Sequence, residues 1–264
     1  MQNLHRVMPF RRRQLLTALA GIGAAGAGLP ALGQEVIRVA AASDLQFALA
    51  ELADAYRRQT GVRVELNLGS SGNFARQIRQ GLPADIFMSA DESFAFALAD
   101  AGLARDRGAL YALGRLALFA GNGSPVALDP ELKGLRAGWA GVSKFAIANP
   151  VHAPYGRAAR QALEKLGLWS LVQPKLVLAD NVAQATQFVA SGSAQAGITA
   201  LSLALAPPVA RMGRHVALPD SLHAPLRQRM LLMKSAGPAA TAFYDYLQSP
   251  PARALLQRYG FSLP

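Results

Sequence analysis

Residues 62–80 read VRVELNLGSSGNFARQIRQ. Apolar and polar residues alternate over 62–68, which is the two-residue period of a β-strand. Residues 73–80 have the pattern of a helix that ends at Gly81. Two glycines and two serines at 69–72 lie between these segments. The stretch therefore predicts a strand, a turn rich in hydroxyl groups and the start of a helix.

A second junction of this kind, Ala42-Ser43-Asp44, follows a short apolar strand at 36–40. The first turn of a helix has unpaired backbone N–H groups and a partial positive charge. Small hydroxyl residues and glycines allow an anion to approach those donors. Two such junctions in consecutive strand-helix units predict a cleft that binds an oxyanion.

The first part of the chain alternates strands at 36–40, 62–68 and 84–90 with helices that include 73–80. This order predicts an α/β fold with a mostly parallel sheet covered by helices. Ligands of such sheets bind beyond the carboxyl ends of the strands, where the serines lie.

The second part repeats this architecture without repeating the sequence. The patterns predict a long strand at 111–120, further strands at 144–147, 175–179, 196–199 and 228–233, and helices at 157–166, 182–190, 238–246 and 251–258. We therefore expect two lobes joined by two crossing segments, the first formed by residues 34–114 plus 226–264 and the second by residues 115–225.

Residues 1–33 have the basic start, apolar middle and small-residue end of a signal peptide. Their Arg-Arg-x-Leu-Leu pattern is typical of a twin-arginine signal, which predicts export to the periplasm. The alternative is a membrane anchor, but the apolar run at 15–29 is shorter than the ~20 residues of a membrane span.

Charge and cysteine content exclude several functions. The formal net charge is +11, and loss of four arginines with the leader lowers it to +7. The remaining basic residues are scattered and form no patch interleaved with aromatics, so nucleic-acid binding is not expected. The absence of cysteine excludes disulfides, Cys-ligated zinc and thiol catalysis.

An exported hydrolase is the alternative of a different class, but its catalytic signals are weak. The histidines after the leader lack the i, i+4 spacing of a helical metal pair, and His152 is expected to be a surface or loop-packing residue. Strand-end and capping roles explain Asp85 and Asp91. Ser71 lacks a G-x-S-x-G elbow. We therefore do not predict an enzyme.

Several motifs spread over nearly the whole mature chain occur together: AAAS at 40–43, GSS at 69–71, PADIFMSAD at 83–91, NP at 149–150, PYG at 154–156, AFYDYL at 242–247 and RYGF at 258–261. In this order the chain resembles the periplasmic molybdate-binding proteins of ABC importers. The resemblance implies a two-lobed periplasmic binding protein fold of type II-like topology. It also implies a monomer that binds molybdate or tungstate without a cofactor and delivers it to a membrane permease.

The resemblance also implies the ligand-binding residues. Ser43, Asp44 and Ser71 are expected on the first lobe, and Tyr155 and Val182 on the second, with Val182 donating its backbone N–H. Some relatives use a tyrosine where this chain has Ala200, and Tyr155 is expected to replace it. The structural alternatives are a helix cap for Ser71 and a packed loop aromatic for Tyr155.

Asp44 departs from the family pattern, because ligand-contacting relatives tend to have a neutral residue there. A carboxylate ~4 Å from a dianion is repelled by roughly 8 kcal/mol at an effective dielectric constant of 20. We expect the carboxylate to turn back and cap its own helix. The alternative is that it accepts a hydrogen bond from a protonated oxyanion, which would make phosphate or arsenate the ligand.

Overall fold

The structure is a computed structural model that describes residues 36–264. The predicted signal peptide, residues 1–33, lies outside the described residues. Ten strands of the described chain form two five-stranded sheets. They are β1 (Val36–Ala42), β2 (Arg63–Gly69), β3 (Ile86–Ser89), β4 (Ala109–Gly114), β5 (Leu116–Gly121), β6 (Phe145–Ala148), β7 (Leu176–Ala179), β8 (Ala196–Ala200), β9 (Gly213–Ala217) and β10 (Leu226–Leu232).

The two sheets share one topology. The strand order is β2-β1-β3-β10-β4 in the first and β7-β6-β8-β5-β9 in the second. The first three strands of each order pair in parallel. The fourth strand, β10 in the first sheet and β5 in the second, runs antiparallel to both of its neighbours. Four of five strands in each sheet thus share a direction, which confirms the predicted mostly parallel sheets.

Helices cover both faces of the sheets. In the first, α1, α10 and α11 pack on one face and α2 and α3 on the other; in the second, α5 and α7 pack on opposite faces. The helices are α1 (Gln46–Thr60), α2 (Ser71–Arg79), α3 (Glu92–Asp100), α4 (Lys133–Ala137), α5 (Pro154–Lys165), α6 (Trp169–Val172), α7 (Val182–Ala190), α8 (Leu201–Ala204), α9 (Pro207–Ala210), α10 (Pro238–Tyr246) and α11 (Pro250–Arg258). Among residues 36–264, none of the helices is long and apolar enough to cross a membrane.

Two segments cross between the sheets. The prediction of one strand at 111–120 is wrong: β4 and β5 belong to different sheets and are separated by Arg115 alone. Leu113 pairs with Arg227 of the first sheet, whereas Leu116 pairs with Ala200 of the second. Apolar residues on both sides of the crossing conceal it in the sequence. The second crossing joins β9 to β10.

Several strand ends lead directly into helix starts, and this positions the site. β1 leads into a 3-10 turn at Ser43–Leu45 and then α1, while β2 leads into α2. In the second sheet β6 and β7 precede α5 and α7. The prediction that α5 begins at residue 157 is wrong, because the helix begins at Pro154, and proline is well suited to the first helical position.

Candidate functional site

A narrow cavity lies where the strand ends and helix starts of the two sheets meet. Residues after β1, β2 and β3 line it together with the first turns of α5 and α7. All five predicted ligand-binding residues are in the lining: Ser43, Asp44, Ser71, Tyr155 and Val182. None of the described residues that line it is lysine or arginine. Ligand binding by these five residues stays a prediction.

The two serine hydroxyls are held by backbone amides. Ser71 Oγ accepts a hydrogen bond from the Ala90 N–H at 2.9 Å, and Ser43 Oγ accepts one from the Ala183 N–H at 3.2 Å. Because a hydroxyl is a donor as well as an acceptor, each keeps its hydrogen for another partner. Ser70, not Ser71, caps α2, since its side chain accepts from the Asn73 N–H. Both hydroxyls can therefore donate to a group in the cavity that these serines line.

The start of α7 brings backbone donors to the same cavity. Val182 is its first residue, and the Asn181 side chain caps the helix by accepting from the Gln184 N–H at 3.0 Å. A backbone N–H in the first turn has no acceptor within its own helix. Together with the positive end of the helix dipole, this suits Val182 to hold an anion.

Asp44 is 1% exposed and belongs to a buried hydrogen-bond cluster. Its Oδ2 accepts from the Tyr155 hydroxyl at 3.0 Å and from Gln228 Nε2 at 2.6 Å. Gln228 also bonds Tyr155 Oη, at 3.1 Å, and its Oε1 accepts from the Tyr111 hydroxyl at 2.7 Å. The prediction that the Asp44 carboxylate caps its own helix is wrong, because no side-chain cap is formed there. The carboxylate finds two donors on other elements instead.

Tyr155 lies in the first turn of α5, not in a loop, and it is buried. In this arrangement its single hydroxyl hydrogen is given to Asp44, so it is not simultaneously a donor to a ligand. The Tyr155 hydroxyl thus contacts Asp44 at the wall of the cavity, and its replacement of the missing tyrosine at Ala200 stays a prediction.

Burial changes the acid-base behaviour of this cluster. Burial raises the pKa of Asp44 from 3.8 to about 6, against the opposing effect of the hydrogen bonds from Gln228 and Tyr155. Burial and then the Asp44 charge raise the pKa of Tyr155 and of Tyr111 well above 10.0. Both tyrosines consequently stay neutral hydrogen-bond donors, and Asp44 is the group that titrates near neutral pH.

We expect Asp44→Asn to change how stability depends on pH. A carboxyl group with a raised pKa stabilises the folded state below its unfolded pKa, and this contribution is lost as pH rises through the folded pKa. Each pKa unit corresponds to about 1.4 kcal/mol, so full ionisation of Asp44 costs about 3 kcal/mol. Denaturant unfolding of the ligand-free proteins should show Asp44→Asn gaining about that much over wild type between pH 4 and pH 7.

The matched control is Asp54→Asn, which changes an exposed carboxylate on α1. Its stability should follow the wild-type pH profile. A constant difference between wild type and Asp44→Asn over pH 4–7 would show that Asp44 does not titrate in this window.

Contacts across the cleft hold the lobes together beside the cavity. The His152 carbonyl accepts from the Gly72 N–H at 3.1 Å and from Ser70 Oγ at 2.7 Å. Asn73 Nδ2 donates to Asp180 Oδ1 at 3.0 Å. His152 Nδ1 lies 3.0 Å from Ser70 Oγ. His152, predicted as a surface or loop-packing residue, therefore also contacts the other side of the cleft.

The Ser70, His152 and Asp180 side chains do not form a catalytic triad. Ser70 Oγ gives its hydrogen to the His152 carbonyl, and His152 Nε2 is 3.8 Å from Asp180, beyond hydrogen-bonding distance. Among the described residues no cluster of three or more His, Cys, Asp or Glu side chains suits a metal ion.

Three residues of the site were not predicted from the sequence. Gln228 donates to the Asp44 carboxylate, the Tyr111 hydroxyl donates to Gln228, and the Ser202 hydroxyl donates to the Asp44 carbonyl at 2.7 Å. The sequence signal for this cluster was Gln228, an amide at the start of the predicted strand 228–233. A polar side chain that a strand buries needs a hydrogen-bond partner.

Comparison with known proteins agrees with this arrangement. The family of bacterial extracellular solute-binding proteins matches residues 37–262. The molybdate-binding protein ModA of Azotobacter vinelandii is 33% identical over 97% of this chain and 100% of its own length. ModA of Escherichia coli (strain K12) is 31% identical over 94% of this chain and 97% of its own. The solved structure of the A. vinelandii periplasmic molybdate-binding protein matches 86% of this chain and 99% of its own, with a TM-score of 0.79. The chain therefore belongs to the bacterial extracellular solute-binding proteins, and among them to the molybdate-binding proteins.

Proposed function

We propose that this protein is an exported receptor that captures molybdate or tungstate between its two lobes and delivers it to the permease of an ABC importer. The observation that carries the proposal is the cavity between the lobes, where neutral donors converge without lysine or arginine. The Ser43 and Ser71 hydroxyls and the start of α7 supply those donors.

Neutral donors suit a receptor that must also release its ligand. Hydrogen bonds to an ionised group are short and about twice as strong as neutral ones, so several of them hold a dianion without a cationic side chain. Molybdate, tungstate and sulfate share charge and tetrahedral shape but differ in bond length. The size of the cavity must therefore discriminate between them.

The proposal includes export and a single-chain receptor. The leader pattern at residues 1–33 supports passage through the twin-arginine route, and the A. vinelandii relative is a periplasmic protein. We propose that the mature protein acts as a monomer, without a cofactor and without catalysing a reaction on its ligand.

Calorimetric titration tests the function. The purified protein is expected to bind one molybdate or one tungstate per chain and to bind sulfate far more weakly. Phosphate and arsenate complete the series, because preference for either would favour the alternative of a receptor for a protonated oxyanion. Equal affinity for sulfate, or no binding of molybdate, would contradict the proposed function.

A further inference from the structure

One oxygen of the buried Asp44 carboxylate has no partner in the described part of the protein. Oδ2 accepts two hydrogen bonds, from Tyr155 and Gln228, whereas the buried Oδ1 accepts none from another residue. Buried polar atoms nearly always have a partner, and leaving one without is costly. Because Asp44 lines the cavity, a bound ligand that carries a proton can supply a donor for Oδ1.

Within residues 36–264, no positively charged side chain is bonded to Asp44. The groups that meet it are neutral: Tyr155 of α5, Gln228 of β10, Ser202 of α8, and Tyr111 of β4 through Gln228. The arginines on or next to these elements form salt bridges with other carboxylates. The pairs are Arg157–Asp91, Arg115–Asp220, Arg227–Glu92 and Arg229–Glu92. An ionised Asp44 and a dianion in this cavity would therefore repel each other with little compensation.

We propose that Asp44 and the bound oxyanion share one proton, held between Oδ1 and a ligand oxygen, so that the site takes up one proton with each dianion. This inference rests on the proposed function and specifies the ligand as a basic oxyanion. No covalent bond of the ligand core is broken. The proton comes from the solvent, and the carboxylate and the dianion change from three negative charges to two.

The acid-base properties of the site agree with this exchange. Burial raises the pKa of Asp44 to about 6. In the ligand-free protein at pH 7.5 the Asp44 carboxyl group is therefore mostly ionised and able to take up a proton. The anion of a weak acid holds the shared proton more firmly than the anion of a strong acid. The low basicity of sulfate therefore weakens its binding, in addition to any effect of cavity size.

The test is calorimetry with sodium molybdate from pH 5.5 to pH 8.5, in pairs of buffers that differ in ionisation enthalpy. Wild-type protein should take up one proton per molybdate at pH 7.5 and fewer at pH 5.5. Its affinity should fall about tenfold per pH unit above pH 6.5. Asp44→Asn should take up none and show a flat affinity profile, and Asp54→Asn should behave as wild type.

A second variant keeps the test independent of Asp44→Asn. Tyr155→Phe removes one donor to Oδ2, so the pH range of proton uptake should move upward. Molybdate binding with no proton uptake and parallel profiles in all variants would overturn the proton sharing while leaving the proposed function intact. Absence of molybdate binding by wild-type protein at every pH would instead overturn the proposed function, and this inference with it.

Discussion

Replacing Gly72 with alanine should lower the affinity for molybdate by about 10- to 150-fold. A β-carbon at residue 72 would lie 2.5 Å from the His152 carbonyl oxygen, a backbone atom of the opposite lobe, and 3.0 Å from the Phe94 ring. The lobes then cannot approach as they do here, and the ligand loses the Val182 N–H of the second lobe. A hydrogen bond to a charged group amounts to about 1.5–3 kcal/mol, which is about 10- to 150-fold in affinity.

Calorimetry gives the affinity, and small-angle scattering with excess molybdate reports whether the lobes close. Gln77→Ala, an exposed change on the same helix, is the matched control and should bind as wild type. Alanine is a better helix former than glycine, so α2 itself should not be weakened. Wild-type affinity in Gly72→Ala would contradict this prediction. It would mean that the backbone around His152 shifts to accommodate the added methyl group and that the lobes still close.

Ser71→Ala should weaken molybdate binding by about 1.5–3 kcal/mol, or about 10- to 150-fold. The variant removes a hydroxyl donor from a desolvated site. It also removes the acceptor of the buried Ala90 N–H, so the melting temperature of the ligand-free protein should fall as well. Titration calorimetry and thermal unfolding measure the two effects separately.

Ser93→Ala is the control for this change, because Ser93 is an exposed serine in the first turn of the neighbouring helix α3. It should leave both the affinity and the melting temperature unchanged. A Ser71→Ala protein with a lower melting temperature and wild-type affinity would show that Ser71 only supports Ala90.

Local patterns were sufficient for much of the fold. The helix predicted at 182–190 has the observed bounds of α7, because Asn181 supplies a cap before an apolar-periodic segment. β9 escaped prediction because its sequence GRHVA has no apolar alternation. The division of 111–120 into β4 and β5 depends on which distant strands each half pairs with, and no local signal encodes that choice.

The site was predictable in its positions but not in its contacts. The resemblance and the helix-start chemistry named five residues that the structure brings to one cavity. The partner that fixes Asp44, Gln228, is 184 residues away along the chain, so only the folded arrangement reveals it. The contact of Ser70 with His152 likewise exists only when the two lobes meet. The prediction that Asp44 caps its own helix was wrong because the local sequence does not reveal the distant donors Tyr155 and Gln228.

Locating molybdenum in crystals of the protein grown with molybdate shows directly whether this cavity is the binding site. Anomalous scattering recorded at an X-ray energy just above the molybdenum absorption edge identifies this element directly. We expect one strong peak per chain, with the molybdate oxygens within hydrogen-bonding distance of Ser43 Oγ, Ser71 Oγ and the Val182 N–H. A molybdenum peak away from this cavity, or none in crystals saturated with molybdate, would contradict it.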